Sequence, residues 1–107
     1  MPAGVPSNPG RDAPHLRIFA RILLHIARQP RFAPTETVPA TLTQSGIAEA
    51  LGASQGSVSN ALKRLVDGGA VRVERTHVWR RMQRLKVYQL TERGESLVRQ
   101  IRSGMGT

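Results

Sequence analysis

Basic side chains cluster around residue 80, between two runs of alternating apolar residues. Like charges held this close repel one another, and the phosphates of a nucleic acid would supply the missing counter-charge. Arginine also enters narrow A·T-rich minor grooves, where the negative potential is enhanced. We therefore predict a DNA-binding surface here, although a solvated charged edge that only prevents aggregation is the alternative. The cluster contains five lysines and arginines, one histidine and no acidic residue: Arg75, His77, Arg80, Arg81, Arg84 and Lys86.

A second set of polar residues occupies the segment 54–64. If this segment is helical, Val58, Ala61 and Leu62 face the core and the polar residues face solvent. Amide and hydroxyl groups bond base edges, and lysine or arginine binds guanine or phosphate. The alternative is the ordinary polar face of a surface helix. The candidate DNA contacts are Ser54, Gln55, Gly56, Ser57, Ser59, Asn60, Lys63 and Arg64.

The remaining residues that often carry chemistry do not form a catalytic pattern. No serine and histidine have the spacing of a nucleophile and its base, and the sequence has no glycine-rich nucleotide-binding loop. His25 and His77 lack neighbouring metal ligands. We therefore expect no enzymatic activity, no metal and no cofactor. Trp79, the single tryptophan, either packs under the arginine-rich segment, inserts against a sugar or base, or covers a partner subunit.

The composition of the chain favours an anionic partner. Its 107 residues allow one domain, and 16 Lys and Arg against 7 Asp and Glu give a formal charge of +9. This imbalance is typical of nucleic-acid-binding proteins. The chain has no cysteine for a disulfide or a thiolate metal site. Without a secretion signal or a run of roughly 18 apolar residues, we expect no membrane association and a cytoplasmic, nucleoid-associated protein.

Apolar periodicity and capping residues predict four helices. Thr43, Ser54 and Thr91 can each cap a helix N-terminus, while Pro30 and Gly52 each end a helix. The pair 68–69 ends the third helix, with both glycines expected in the left-handed conformation. The predicted helices span residues 13–29, 44–51, 55–66 and 92–102.

After residue 70 the spacing of the apolar residues changes from the helical period of about 3.6 residues to the period of two that is typical of a strand. Val71 and Val73 alternate with charged residues, and a second such run extends from Leu85 to Leu90. The two runs predict a β-hairpin with a long tip. The proline-containing segment 31–40 predicts a loop that closes with a short edge strand at 40–42.

Residues 44–65 have the pattern of a helix-turn-helix. The small Ala48 lets two helices approach closely, Gly52 permits the tight turn, and Val58 fills the angle between the helices. A strand-turn-strand directly after this motif is the winged form of the fold. We predict a mostly helical α+β winged helix-turn-helix with about four helices and a two- or three-stranded hairpin wing, spanning 13–102. Residues 1–12 are predicted to be a disordered tail, and 103–107 a frayed end.

The segment from about Leu42 to Ile101 resembles the MarR family and the related archaeal winged-helix regulators. The resemblance implies a dimeric transcription regulator that binds pseudo-palindromic duplex DNA. MarR proteins are usually longer, with extended terminal helices that shape a ligand pocket, so this sequence gives no basis for assigning a small-molecule effector. The resemblance rests on the stretches QSGIAEALGASQGSVSNALKRL, DGGAVRVER and KVYQLTERGESL.

The first predicted helix is apolar over more than one face, which is wider than a small core requires. We expect its second face to meet another subunit, and the last helix to contribute to the same homodimer. The alternative is a deeply buried central helix. The candidate dimer residues are Leu16, Phe19, Leu23, Ile26, Leu97 and Ile101.

Together these features predict a sequence-specific regulator that binds double-stranded DNA. The third helix would read the major groove, and the arginine-rich hairpin would contact the minor groove and backbone. One alternative is a winged-helix module that docks onto a protein complex through its first helix. Another is an architectural or RNA-binding protein without sequence readout, although the deep, narrow major groove of A-form RNA would not admit the third helix.

Overall fold

Four α-helices and one antiparallel hairpin make up the described residues 14–32, 37–80 and 83–105 of the computed structural model. This arrangement confirms the predicted winged helix-turn-helix fold. The predicted tail at 1–12 lies outside the described residues, as does Arg81. The elements are α1 (Pro14–Arg28), a 3₁₀ turn (Ala40–Leu42), α2 (Gln44–Leu51), α3 (Gln55–Asp67), β1 (Val71–His77), β2 (Arg84–Leu90) and α4 (Glu92–Met105).

Three helices begin at the predicted capping residues. The hydroxyl oxygens of Thr43, Ser54 and Thr91 each accept a hydrogen bond, 3.1 Å long, from the backbone N–H three residues later. Each bond satisfies one of the N–H groups that a helix N-terminus leaves unpaired. The starts of both helices of the helix-turn-helix and the start of α4 are therefore set by local sequence.

The ends of two predicted elements differ from the structure. Gly69 adopts the left-handed conformation (φ 79°), as expected, but Gly68 is right-handed (φ −81°), so only one of the two glycines makes the reversal. Helix α4 continues to Met105, beyond the predicted end at 102. Residues 103–105 are therefore helical, while 106–107 lie outside the described residues.

Residues 40–42 form a 3₁₀ turn, so the predicted edge strand at this position is wrong. The hydroxyl of Thr43 donates to the carbonyl oxygen of Ala40 at 2.6 Å, and the Thr43 N–H donates to the same oxygen at 3.0 Å. That carbonyl also lies 1.9 Å from where a Cβ on Gly46 would be. The close packing of α2 on the turn bends the chain out of an extended conformation.

Helix α1 is the centre of the core and packs against α3, α4 and β2. Leu23 (3% exposed) and Ile26 (5% exposed) are buried within the chain itself. These two residues therefore leave no surface for a second subunit, which corrects their assignment to a dimer interface. Phe19, Leu97 and Ile101 are half-buried against the core, and the side chain of Leu16 lies outside the described part of the structure.

Candidate nucleic-acid interface

Helix α3 turns its polar side to solvent, as its spacing predicts. Val58, Ala61, Leu62 and Leu65 are buried, and the polar positions lie on the opposite side. Ser59 is half-buried at the edge of this surface. The exposed candidates are Ser54, Gln55, Gly56, Ser57, Asn60, Lys63 and Arg64.

The hairpin presents four of its basic side chains on one face. Arg75 lies opposite Lys86, and His77 lies opposite Arg84. Directly opposed residues of an antiparallel pair project to the same side of the sheet, and so do residues two apart along a strand. All four side chains are exposed and form what we call the cationic face. Arg80 is exposed at the tip.

The other side of the hairpin packs onto the body of the molecule. Thr76, Val87 and Gln89 project from it and are buried. Glu74 also lies on this side, where it pairs with Arg72 at 3.7 Å. Among the described strand residues, the cationic face therefore has no acidic neighbour on its own side.

Within the cationic face, Arg75 and Lys86 place like charges directly opposite one another. Like charges directly opposite one another across two strands destabilise a sheet. The guanidinium of Arg84 donates to the carbonyl oxygen of Arg75 at 3.0 Å, but this bond leaves the positive charge of Arg84 uncompensated. An anionic ligand would relieve the repulsion.

A groove joins the polar side of α3 to the cationic face. Ser59, Lys63 and the acidic Asp67 are among the residues that line it from the helix, and Val73, Lys86 and Tyr88 line it from the hairpin. Val73 opposes Tyr88 in the sheet, two residues from the Arg75–Lys86 pair. The apolar floor of the groove is thus continuous with the cationic face.

Val73 and Tyr88 are among the groove residues that were not predicted as part of the site. Val73 is 40% exposed, although its alternating pattern is typical of a core strand residue. Tyr88 is buried, and desolvation raises the pKa of its phenol above the ordinary 10.0, which keeps it neutral. The two-residue period placed both on one side of the hairpin, but only the position of α3 shows that this side forms a groove.

Trp79 follows the end of β1 and is 55% exposed. Its indole Nε1 donates to the carbonyl oxygen of Thr37 at 3.0 Å. The tryptophan is therefore attached by its polar edge to the loop before the helix-turn-helix, and much of its ring remains in contact with solvent.

Within the described ranges, no three His, Cys, Asp or Glu side chains group together as metal ligands. In the same part of the chain, no helix is long and apolar enough to cross a bilayer.

Comparison with known proteins identifies the family. The model of the MarR family matches residues 20–81, which include the helix-turn-helix and all of the first wing strand. This chain belongs to the MarR family. Members of the family are DNA-binding transcription regulators rather than enzymes.

A solved structure resembles this MarR-family chain over most of its length. The crystal structure of transcriptional regulator PA3341 matches it with a TM-score of 0.59 and 26% sequence identity. The match covers 88% of this chain and 62% of that regulator, so this chain spans less than two thirds of the other protein. None of the curated proteins matches this chain.

Proposed function

We propose that this MarR-family chain is a transcription regulator that reads a specific duplex DNA sequence. In this proposal α3 enters the major groove, while the cationic face contacts the neighbouring minor groove and phosphates. One observation supports it above all others: the polar side of α3 and the cationic face border the same groove. The major groove of DNA is about 12 Å wide and admits a helix. With α3 in that groove, the same duplex can also contact the adjacent cationic face. A regulator of this kind would act at the nucleoid in the cytoplasm.

Base recognition is assigned to the exposed amides and hydroxyls of α3. The amide of Asn60 or Gln55 can bond both N6 and N7 of adenine, and Ser59 can bond several base edges. Lys63 reaches guanine or phosphate from the groove. The backbone N–H groups next to Ser54 lie at the start of a 13-residue helix, where the helix dipole and unpaired donors favour a phosphate.

The cationic face is assigned to the DNA backbone. Its basic side chains lie in two opposed pairs, Arg75 with Lys86 and His77 with Arg84. They can therefore contact phosphates along one strand of the DNA duplex. Arg80 at the tip is the candidate for insertion into the minor groove, where a narrow A·T tract attracts arginine. Arg81 keeps the same role as a prediction from the sequence alone.

The proposal includes a homodimer, which would match a pseudo-palindromic site with half-sites about 34 Å apart. Half-buried apolar residues on two helices that pack together support it, namely Phe19 on α1 and Leu97 and Ile101 on α4. Light scattering of the free protein and of its DNA complex tests this part. A monomer in both states would refute the dimer without affecting the assignment of α3.

Titration of labelled duplex DNA at increasing salt tests the central proposal. If a dimer neutralises about eight phosphates, log affinity falls against log salt with a slope of about −7. Duplex RNA serves as the competitor and should not displace the DNA. Absence of duplex binding at low salt, or a preference for RNA, would refute the proposal and favour the protein-docking or RNA-binding alternative.

A further inference from the structure

The far end of the wing is attached to the segment Thr37–Pro39, which we call the strap. The Val38 N–H donates to the carbonyl oxygen of His77 at 3.0 Å, and the Trp79 N–H donates to the carbonyl oxygen of Val38 at 2.9 Å. Val38 and Val78 form a parallel bridge, and they are only 1% and 2% exposed. The end of β1 is thus paired on both sides, with β2 on one and the strap on the other.

The indole of Trp79 adds a third hydrogen bond to this attachment, from Nε1 to the carbonyl oxygen of Thr37. The next residue, Arg80, has a left-handed backbone conformation (φ 65°). A residue other than glycine keeps such a conformation only where its surroundings hold it there. The attachment of Trp79 therefore sets where the tip of the hairpin turns and where the Arg80 side chain begins.

We infer that Trp79 is a positioning residue for DNA binding, which holds the cationic face in its binding arrangement before DNA arrives. The inference rests on the proposed function. Because the strap pairs with the edge of β1 opposite β2, it fixes the end of β1, and the tip that follows it, to the body of the molecule. Because ordering a loop and its side chains on binding lowers affinity, an arm that is already ordered binds more tightly than a mobile one.

The substitution Trp79→Phe tests the inference, because it keeps an aromatic ring but removes the Nε1 donor. We expect affinity to fall about fivefold for every duplex sequence, which corresponds to the loss of one typical hydrogen bond. The slope of log affinity against log salt should not change, since the bound protein still contacts the same phosphates. Val38→Ala, which weakens the buried contact with Val78, should give the same pair of results.

Hydrogen exchange reports the attachment independently of DNA. The backbone amides of Val38 and residue 79 should be protected in the free wild-type protein and exchange faster in Trp79→Phe. Gln83→Ala is the control, because Gln83 is exposed near the tip but lies outside the strap contacts. This variant should retain both the protection and the affinity of the wild type.

Each contrary result has a distinct meaning. Faster exchange with unchanged affinity would overturn the inference, because the order of the wing would then not contribute to binding. A changed salt slope in Trp79→Phe would also overturn it, since position 79 would itself contribute phosphate contacts. If the wild-type protein failed to bind any duplex, the proposed function would fall, whereas the exchange data would still show whether the strap holds the wing.

Discussion

Helix α3 and the hairpin border one groove but present different chemistry to it. The exposed side of α3 is mostly uncharged, with Gln55 and Asn60 among its hydrogen-bonding groups, whereas the cationic face has four basic side chains and no acid on its side. Hydrogen bonds to base edges distinguish sequences, while contacts to phosphates raise affinity without distinguishing them. Under the proposed function, discrimination and affinity therefore depend on separate elements and can be altered separately.

The largest effect is expected from removing the positive charge of the hairpin. Replacing Arg75, Arg84 and Lys86 together by alanine should lower affinity for every duplex by about a hundredfold or more at moderate salt. The slope of log affinity against log salt should become shallower by about 2.7 for each protomer, because three phosphate contacts are lost. Anisotropy titrations on several unrelated duplexes at four salt concentrations measure both quantities.

The control for this variant removes equal charge elsewhere. Arg28, Arg99 and Arg102 are exposed on α1 and α4, away from the groove. Their replacement by alanine should change affinity much less and leave the slope nearly unaltered. Equal effects of the two triple variants would mean that overall charge, rather than the cationic face, determines binding.

The next effect concerns α3 and should be selective. Asn60→Ala and Ser59→Ala should each relax the preference for one base pair. For Asn60, which can make a bidentate contact to adenine, the loss on the preferred sequence should be about 1 to 3 kcal/mol. Binding selection from random oligonucleotides measures the change, and the salt slope should stay that of the wild type. Uniform weakening across all sequences would contradict the assignment of sequence reading to α3.

Gly94→Ala, a charge-neutral change at the root of the hairpin, should lower the stability of the protein. A Cβ on Gly94 would lie 2.1 Å from the carbonyl oxygen of Ala70, which accepts the Thr91 N–H. The two segments must move apart in Gly94→Ala, so the free energy of unfolding should fall by about 1 to 3 kcal/mol. Urea denaturation measures the loss. Gly56→Ala is the control: its Cβ would meet nothing within 4 Å, and alanine should stabilise α3 by about 0.4 to 1 kcal/mol.

The smallest effect is expected at Tyr88, where the two regions meet. Burial raises the pKa of Tyr88, so the folded protein holds the phenolic proton more tightly than the unfolded chain does. This contribution to stability is complete below the unfolded pKa of about 10 and is lost as pH rises through the higher folded pKa. Tyr88→Phe should therefore flatten the loss of stability above about pH 10, as measured by urea denaturation. An unchanged alkaline slope would contradict the burial of the phenol.

Features that depend on a few neighbouring residues were predictable. Thr43, Ser54 and Thr91 cap helices because each hydroxyl reaches an N–H only three residues away. The buried and exposed sides of α3 follow from helical spacing, so its candidate contacts could be named before the structure was known. The cluster of basic residues was equally visible, although their alignment on one face required the register of the hairpin.

Features that depend on distant segments were not predictable in the same way. Val38 of the strap pairs with Val78, some 40 residues later in the chain. No local sequence pattern predicts that pairing. The apolar surface of α1 indicated two possible partners, its own core or another subunit. Packing assigned Leu23 and Ile26 to the core and left Phe19 half-buried, a choice that periodicity alone does not make.

The sequence by itself determined the order of the elements, the caps, the polar side of α3 and the excess positive charge, because these follow from short-range geometry and residue chemistry. Only the tertiary structure decided that α3 and the cationic face share one groove and that the wing is attached at its tip. Both depend on contacts between residues far apart in the chain. Such contacts form only when the hydrophobic core brings those segments together.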